Sequence, residues 1–266
     1  MTSALLRNRR LVAASSAAAA AAASAFASSC DAKKKPRVLV TGFHDWRELE
    51  GNIWRCRDNP SCRLLLGAAS EKPPVKRDGP LARALRESNT ADFSFQTLPT
   101  TWGTSSGIDL TSYDIVIHLG LGVYDNHTTI LLENSAYNMR NATADALRVA
   151  GSGGPIEEGE RRIMKLESGQ LTRYADLRRE PSKLGNATDG GKAFTVMEAP
   201  ARKENSYICN ETHWRSLRAV STATDAKPVA AYFIHVPYAD PNREKGYEEL
   251  AAAVATLVQR IVELER

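Results

Sequence analysis

The run YDIVIHLGLG, residues 113–122, carries Ile115, Val116, Ile117, Leu119 and Leu121 with a single histidine among them. It lacks the polar–apolar alternation of a strand with one wet face. A segment buried on both faces belongs at the centre of a parallel sheet covered by helices. Working outward, RVLVTGF (37–43) is a β-branched run ended by Gly42 and reads as the first strand. FSFQTLP (93–99) alternates, and TTILLE (128–133) and VAAYFIHV (229–236) are two further apolar strands. Residues 80–88 suit a short helix with Leu81 and Leu85 on one face. Residues 244–265 place Leu250, Val254, Leu257, Ile261 and Val262 on one stripe of a long amphipathic helix. Strands interleaved with helices predict an α/β domain with a mostly parallel sheet. Residues 44–80 are rich in turn residues. Residues 151–203 lack periodicity and read as an irregular insertion, with a turn at Asp189-Gly190-Gly191 and a strand near 193–198.

Composition narrows the classes. The chain has 266 residues, 42% hydrophobic and 25% charged, which excludes disorder. Its formal charge of +4 owes three positives to Arg7, Arg9 and Arg10, and no acid precedes Asp31. Without residues 1–29 the balance is close to neutral, so a nucleic-acid partner is not expected. Residues 11–29, LVAASSAAAAAAASAFASS, are small and uncharged behind that basic start, the pattern of a secretory leader. Ala27-Ser28-Ser29-Cys30 resembles a bacterial lipobox, which implies a lipid anchor at Cys30 and a periplasmic or membrane-anchored lipoprotein. Arg9-Arg10 gives a faint twin-arginine resemblance. Residues 30–36 form a linker, and the domain occupies 37–266.

Export implies an oxidising compartment. Cys56 and Cys62 flank the turn-forming Asp58-Asn59-Pro60, so they form either a short-loop disulfide or two reduced thiols. With Cys30 lipidated and that pair closed, Cys209 is left over as a candidate nucleophile. GLG at 120–122 lacks the third glycine of a dinucleotide fingerprint. No P-loop, HExxH or paired CxxC occurs, so neither cofactor nor metal is expected.

Cys209 lies in ENSYICNETHW (204–214), where a short apolar stretch enters a predicted helix. A thiol there feels the positive end of the helix dipole. It needs a base, and the base needs an orienting acid. His213, one turn further on, is expected to lie along the helix, so its replacement should leave most activity. His118 sits inside an apolar strand and reads as a satisfied core histidine. His235 and Glu133 both end predicted strands, at the edge where α/β sheets bind ligands. Cys209, His235 and Glu133 are therefore the candidate triad.

These segments together resemble pyroglutamyl peptidase type I, the pyrrolidone-carboxylate peptidase family of cysteine peptidases. VLVTGF (38–43) is similar to the family's opening strand, Asn59-Pro60-Ser61 to its NPS, and Leu98-Pro99 to its LP. VIHLGLG (116–122) is similar to its central strand. ENSAYN (133–138) matches the pattern carrying the catalytic Glu, SYICN (206–210) the one carrying the nucleophile, and FIHVP (233–237) the one carrying the His. The resemblance implies an α/β/α sandwich with a mixed sheet, and hydrolysis of N-terminal pyroglutamyl residues from peptides by Cys209, His235 and Glu133. It also implies that Phe43 and Trp46 sandwich the lactam ring.

The chain departs from the pattern in several places. Phe43-His44-Asp45-Trp46-Arg47 replaces the family's first loop, and Asn134 stands for the Arg after the catalytic Glu. Thr143 stands where a family Arg lies near the oxyanion, with Arg140 nearby, and Lys203-Glu204-Asn205 replaces a Ser-Ala-Gly stretch. Two other functions therefore stay open: a thiol amidohydrolase of different acyl specificity, and a non-catalytic peptide-binding surface lipoprotein. Self-association is also left open.

Overall fold

The apolar runs become the inner strands of one six-stranded sheet. The computed structural model describes residues 34–47, 53–67, 78–123, 126–179, 194–223, 230–239 and 244–266. The leader, Cys30 and most of the linker lie outside the described residues, as does the turn at 189–191.

The elements run β1 (Arg37–Phe43), β2 (Trp46–Arg47), β3 (Ile53–Trp54), α1 (Pro60–Leu66), α2 (Pro80–Ser88), β4 (Asp92–Leu98), β5 (Ile115–Val123), β6 (Thr129–Glu133) and β7 (Ser135–Tyr137). There follow β8 (Ile163–Lys165), α3 (Ser168–Arg179), β9 (Thr195–Ala199), α4 (Ile208–Thr222), β10 (Ala230–Pro237) and α5 (Glu244–Leu264). The strand order is β4-β1-β5-β10-β6-β9. β5 is flanked by β1 and β10, both parallel to it, as its unbroken apolar run requires. β6 runs antiparallel to β10, and this makes the sheet mixed.

Side-chain alternation assigns the two helical layers. Thr41 and His118 are register partners on β1 and β5, and His118 reaches Ser216 on α4. The neighbouring β1 position, Gly42, faces the other way: a Cβ there would stand 2.1 Å from Ser61 O on α1. So α4 covers one face, and α1 covers the other with α2 and α5, which pack on it and on each other. In α5, Leu250, Val254, Leu257, Ile261 and Val262 are all buried, as the stripe predicted. This is the α/β/α sandwich.

Asn59-Pro60-Ser61 has a clear local job. Asn59 caps α1 by accepting from Ser61 N, and Pro60 occupies the first turn, where its missing N–H costs nothing. The Asn59 amide also donates to the carbonyls of Phe43 and His44 at 2.9 Å. The chain leaving β1 is thus tied to the start of α1. Cys56 and Cys62 form a disulfide across the same turn, resolving the alternative left open by their spacing.

Residues 151–203 hold more structure than their sequence suggests. β8 pairs with β7 in a small two-stranded antiparallel sheet, and β9, matching the strand expected near 193–198, adds parallel to β6 at the sheet edge. The helix α3 was not foreseen. Its sequence, SGQLTRYADLRR, has no apolar stripe; it is anchored by buried Tyr174, whose hydroxyl donates to Leu132 O at 2.6 Å.

The disulfide yields a testable outcome. Cys209 is the free cysteine among the described residues. In a chain starting at Asp31, thiol titration without reductant should therefore find one sulfhydryl, rising to three after reduction. Closing so short a loop stabilises by about 2 kcal/mol, so Cys56→Ser/Cys62→Ser should lower the unfolding free energy by that order in denaturant titration. Three thiols before reduction would contradict the pairing.

Candidate active site

Cys209 is the second residue of α4, after the N-cap Tyr207, which makes no side-chain cap. The first-turn N–H groups of a helix have no intrahelical acceptor, and the half-buried thiol belongs to that first turn. Asn210 fixes this helix start. Its Oδ1 accepts from Tyr137 N at 2.7 Å, and its Nδ2 donates to the carbonyls of Tyr137 and Met139. The Cys-Asn pair is thus a thiol beside its own anchor to β7.

His235 comes from β10 and lies on the α4 face of the sheet. Its register partner on β5 is Gly120. A Cβ at Gly120 would meet the Phe233 ring at 2.8 Å, and one at Gly122 would meet His235 Cδ2 at 2.4 Å. The GLG stretch, uninformative as a nucleotide motif, is the bare backbone over which these two rings lie.

Glu133 ends β6. Because β6 is antiparallel to β10, Glu133 sits opposite Phe233 and diagonal to His235 on the same face. Its Oε1 is 2.9 Å from His235 Nδ1. That contact turns the other imidazole nitrogen away from the glutamate, and Cys209 is near enough to the ring to favour its protonated form. The structure therefore brings Cys209, His235 and Glu133 together.

Sequence reasoning set His213 aside as lying along the helix, and gave it no partner. It is fully buried, and its Nδ1 lies 3.3 Å from the second oxygen of Glu133, Oε2. One signal pointed to it: Cys209, His213 and Ser216 are spaced i, i+4, i+7 and share a helix face. Each meets a polar group of the sheet, namely His235, Glu133 and His118. His118 is the satisfied core histidine expected of it, with Thr41 Oγ1 at 2.7 Å and Ser216 Oγ at 2.8 Å.

Burial and charge set the ionisation. Burial alone pushes the Glu133 carboxyl up, but the charge of His235 and the hydrogen bonds of both histidines outweigh it and hold the group at about 2. Burial alone pushes His235 down; the Glu133 charge, helped by Cys209, raises it to about 10. His118 is held at about 3, first by burial and then by nearby His213. Chemically, the arrangement can take a proton from the thiol onto His235 and hold it beside a carboxylate.

The apolar surroundings of Cys209 are Phe43, Leu98, Ile208 and Phe233, with Trp102, Ile108 and Tyr207 packed against them. Phe43, expected at the ligand, is buried within this cluster, 6.4 Å from the Phe233 ring. Trp46 is in β2, and its side chain lies outside the described residues. Trp102 was not anticipated; it stands edge-on to Tyr207 at 5.2 Å and donates from Nε1 to Thr143 O. Thr143, at the family's Arg position, contributes that carbonyl. Arg140 is committed to buried Glu211, through Nε at 3.1 Å and a second nitrogen at 2.5 Å. Glu211 also accepts from Gly103 N and Arg215 Nε, a set that locks the Trp102 turn to α4. His44, Cys56 and Cys62 bring ligand-type atoms within 4.8 Å of one another, but both sulfurs are bonded to each other.

No protein-family model matches the chain, and no curated protein matches it in sequence. Solved structures do. A mutant pyrrolidone carboxyl peptidase from the hyperthermophile Pyrococcus furiosus is 20% identical, covering 85% of this chain and 98% of its own, with a TM-score of 0.55. The pyrrolidone carboxyl peptidase of Fervidobacterium islandicum AW-1 is 18% identical over 86% and 99%, with a TM-score of 0.55. Bacillus amyloliquefaciens pyroglutamyl peptidase I is 16% identical over 84% and 98%, with a TM-score of 0.52. At these identities the likeness establishes the shared fold.

The pair of shifts predicts a pH signature. His235 binds its proton more tightly folded than its ordinary value of 6.5, so its contribution to stability is full below about pH 6.5 and fades as pH rises through about 10. Glu133 is depressed from 4.5, so its contribution is full above about pH 4.5 and fades as pH falls towards 2. The unfolding free-energy gap between wild type and His235→Gln should therefore peak between about pH 4.5 and 6.5. A flat difference across pH in denaturant titrations would contradict the ion pair.

Proposed function

We propose that the chain is a cysteine peptidase that releases N-terminal pyroglutamate from peptides. The observation that carries this is His235, held by Glu133 on one side and facing Cys209 at a helix start on the other. In this reading Cys209 Sγ attacks the pyroglutamyl carbonyl carbon, and its proton passes to His235. The oxyanion is met by first-turn N–H groups of α4, each worth about 3 kcal/mol in comparable sites. The C–N bond breaks, and the leaving amine takes the proton from His235, leaving a thioester on Cys209. His235 then removes a proton from water, the hydroxide attacks the thioester, and pyroglutamate departs as the thiol is reprotonated. Glu133 keeps its hold on Nδ1 throughout and stabilises the imidazolium.

The apolar cluster of Phe43, Leu98, Trp102, Ile108, Tyr207 and Phe233 beside Cys209 suits the methylene face of a lactam ring. The solved structures of similar fold bear the names of enzymes of this activity, which supports the same substrate class. The presence of Trp102 beside Tyr207 supports a second reading, a thiol amidohydrolase for a differently shaped acyl group.

A pyroglutamyl chromogenic amide decides between them. Wild type should hydrolyse it under reducing conditions, and Cys209→Ala or His235→Ala should lower kcat by about 10⁴-fold or more. Turnover of other acyl amides but not this one would favour the second reading; no turnover of any would leave a binding protein. We further propose export and anchoring through Cys30, supported by the leader pattern of residues 1–29. Mass spectrometry of cell-derived protein should find a chain beginning at a lipidated Cys30. A cytoplasmic chain that keeps residues 1–29 would overturn export, and a soluble one starting near Asp31 would overturn lipidation alone.

A further inference from the structure

Glu133 has two oxygens and two histidines. Oε1 faces His235 Nδ1 at 2.9 Å, and Oε2 faces His213 Nδ1 at 3.3 Å. The two rings reach it from different layers, one from β10 and one from α4. We propose that His213 is a positioning residue of this site: its Nδ1–H holds the plane of the Glu133 carboxylate, and through it the orientation of the His235 ring towards Cys209. The proposal rests on the peptidase reading for its kinetic consequence, and on geometry alone for the hydrogen bond.

Three observations carry it. First, His213 has no freedom to act elsewhere. Its side chain is 0% exposed, and its ring lies 5.6 Å from that of Phe233. Second, its Nε2 has no hydrogen-bond partner among the described residues. A buried N–H without an acceptor is strongly disfavoured, so the proton belongs on Nδ1, where Glu133 accepts it, and Nε2 keeps a lone pair. The ring is thereby set as a single donor aimed at one oxygen. Third, a carboxylate on a strand end held by one partner can rotate about its last bond. A second donor on the second oxygen removes that rotation, and the diagonal Glu133–His235 contact depends on it.

The residue acts through Glu133 and not on the reacting atoms: its contact is with Oε2, whereas His235 meets Oε1. Its replacement should therefore slow the chemical step and leave binding nearly intact. A misaligned supporting group costs roughly 10- to 100-fold in rate.

The test uses His213→Leu, which keeps apolar bulk and removes the donor, and His213→Asn, whose amide nitrogen falls close to the place of Nδ1. With active sites counted by Cys209 alkylation, His213→Leu should lower kcat for the pyroglutamyl amide about 10- to 100-fold with KM within about threefold. His213→Asn should restore most of the loss. A role in packing alone would lower thermal stability in both variants and leave kcat per titrated site within twofold of wild type; that result overturns the proposal. An independent arm needs no turnover and neither of the His213 variants. Proton NMR of histidine-labelled wild type should show two downfield Nδ1–H signals, from His213 and His235, both displaced in Glu133→Gln. A signal from His235 alone overturns the proposal. If wild type hydrolyses nothing, the peptidase reading fails, and the proposal stands or falls on these two signals.

Discussion

A carboxylate at the end of a buried strand is the constraint around which this site is built. Left unpaired in such surroundings, Glu133 would be protonated and neutral. It is instead held strongly acidic, because two imidazoles reach it from two layers of the fold. Each partner imposes a demand. His235 requires β6 to run antiparallel to β10, since that pairing sets the two residues diagonal on one face. His213 requires α4 to cross the sheet with its polar stripe turned inward, so a helix face that is usually apolar carries Cys209, His213 and Ser216 instead.

The same demand reaches β5. Rings lying on the sheet at Phe233 and His235 need a neighbouring strand without side chains beneath them, and Gly120 and Gly122 supply it. Glycine inside a strand forfeits packing and conformational entropy. That weakness sits at the carboxyl end of the central strand, where the sheet is otherwise best buttressed by β1 and β10. The apolar half of the strand, Ile115 to Leu119, pairs and packs; the glycine half makes room. One ten-residue run thus serves the core at one end and the site at the other.

Much of this could be read in the sequence because it follows from short-range rules. The unbroken run at 115–119 and the β-branched run at 37–43 specify buried strands, and the stripe from Leu250 to Val262 specifies α5. Cys209 stood out by elimination once Cys56 and Cys62 were paired. What stayed hidden depends on how elements meet. The helix α3 is polar along its length and is secured by one buried tyrosine bonding to the backbone of β6, so no periodicity announces it. His213 was discounted because it lies a turn along from Cys209, a sound argument against its touching the thiol. Only the position of Glu133, set by an antiparallel strand from a distant part of the chain, gives that imidazole a partner. The resemblance of short motifs pointed to Cys209, His235 and Glu133, yet it carried no information on His213.

The apolar cluster on which Cys209 packs follows a different logic from the polar cluster of Cys209, His235 and Glu133. Cys209, His235 and Glu133 are held by strands and by the start of a long helix. Three residues of the apolar cluster on which Cys209 packs come from loops: Trp102 and Ile108 lie between β4 and β5, and Tyr207 precedes α4. These loops are braced rather than packed. Glu211, buried in the first turns of α4, accepts from the backbone of Gly103 and from Arg140, while Asp145 accepts from Trp102 N, and Tyr207 donates to Ala144 O. A rigid cluster on regular elements beside braced loops leaves the loops free to change in sequence without moving Cys209, His235 and Glu133. The departures from the pattern that the sequence resembles, at residues 43–47, 134–143 and 203–205, fall outside the three elements that carry Cys209, His235 and Glu133.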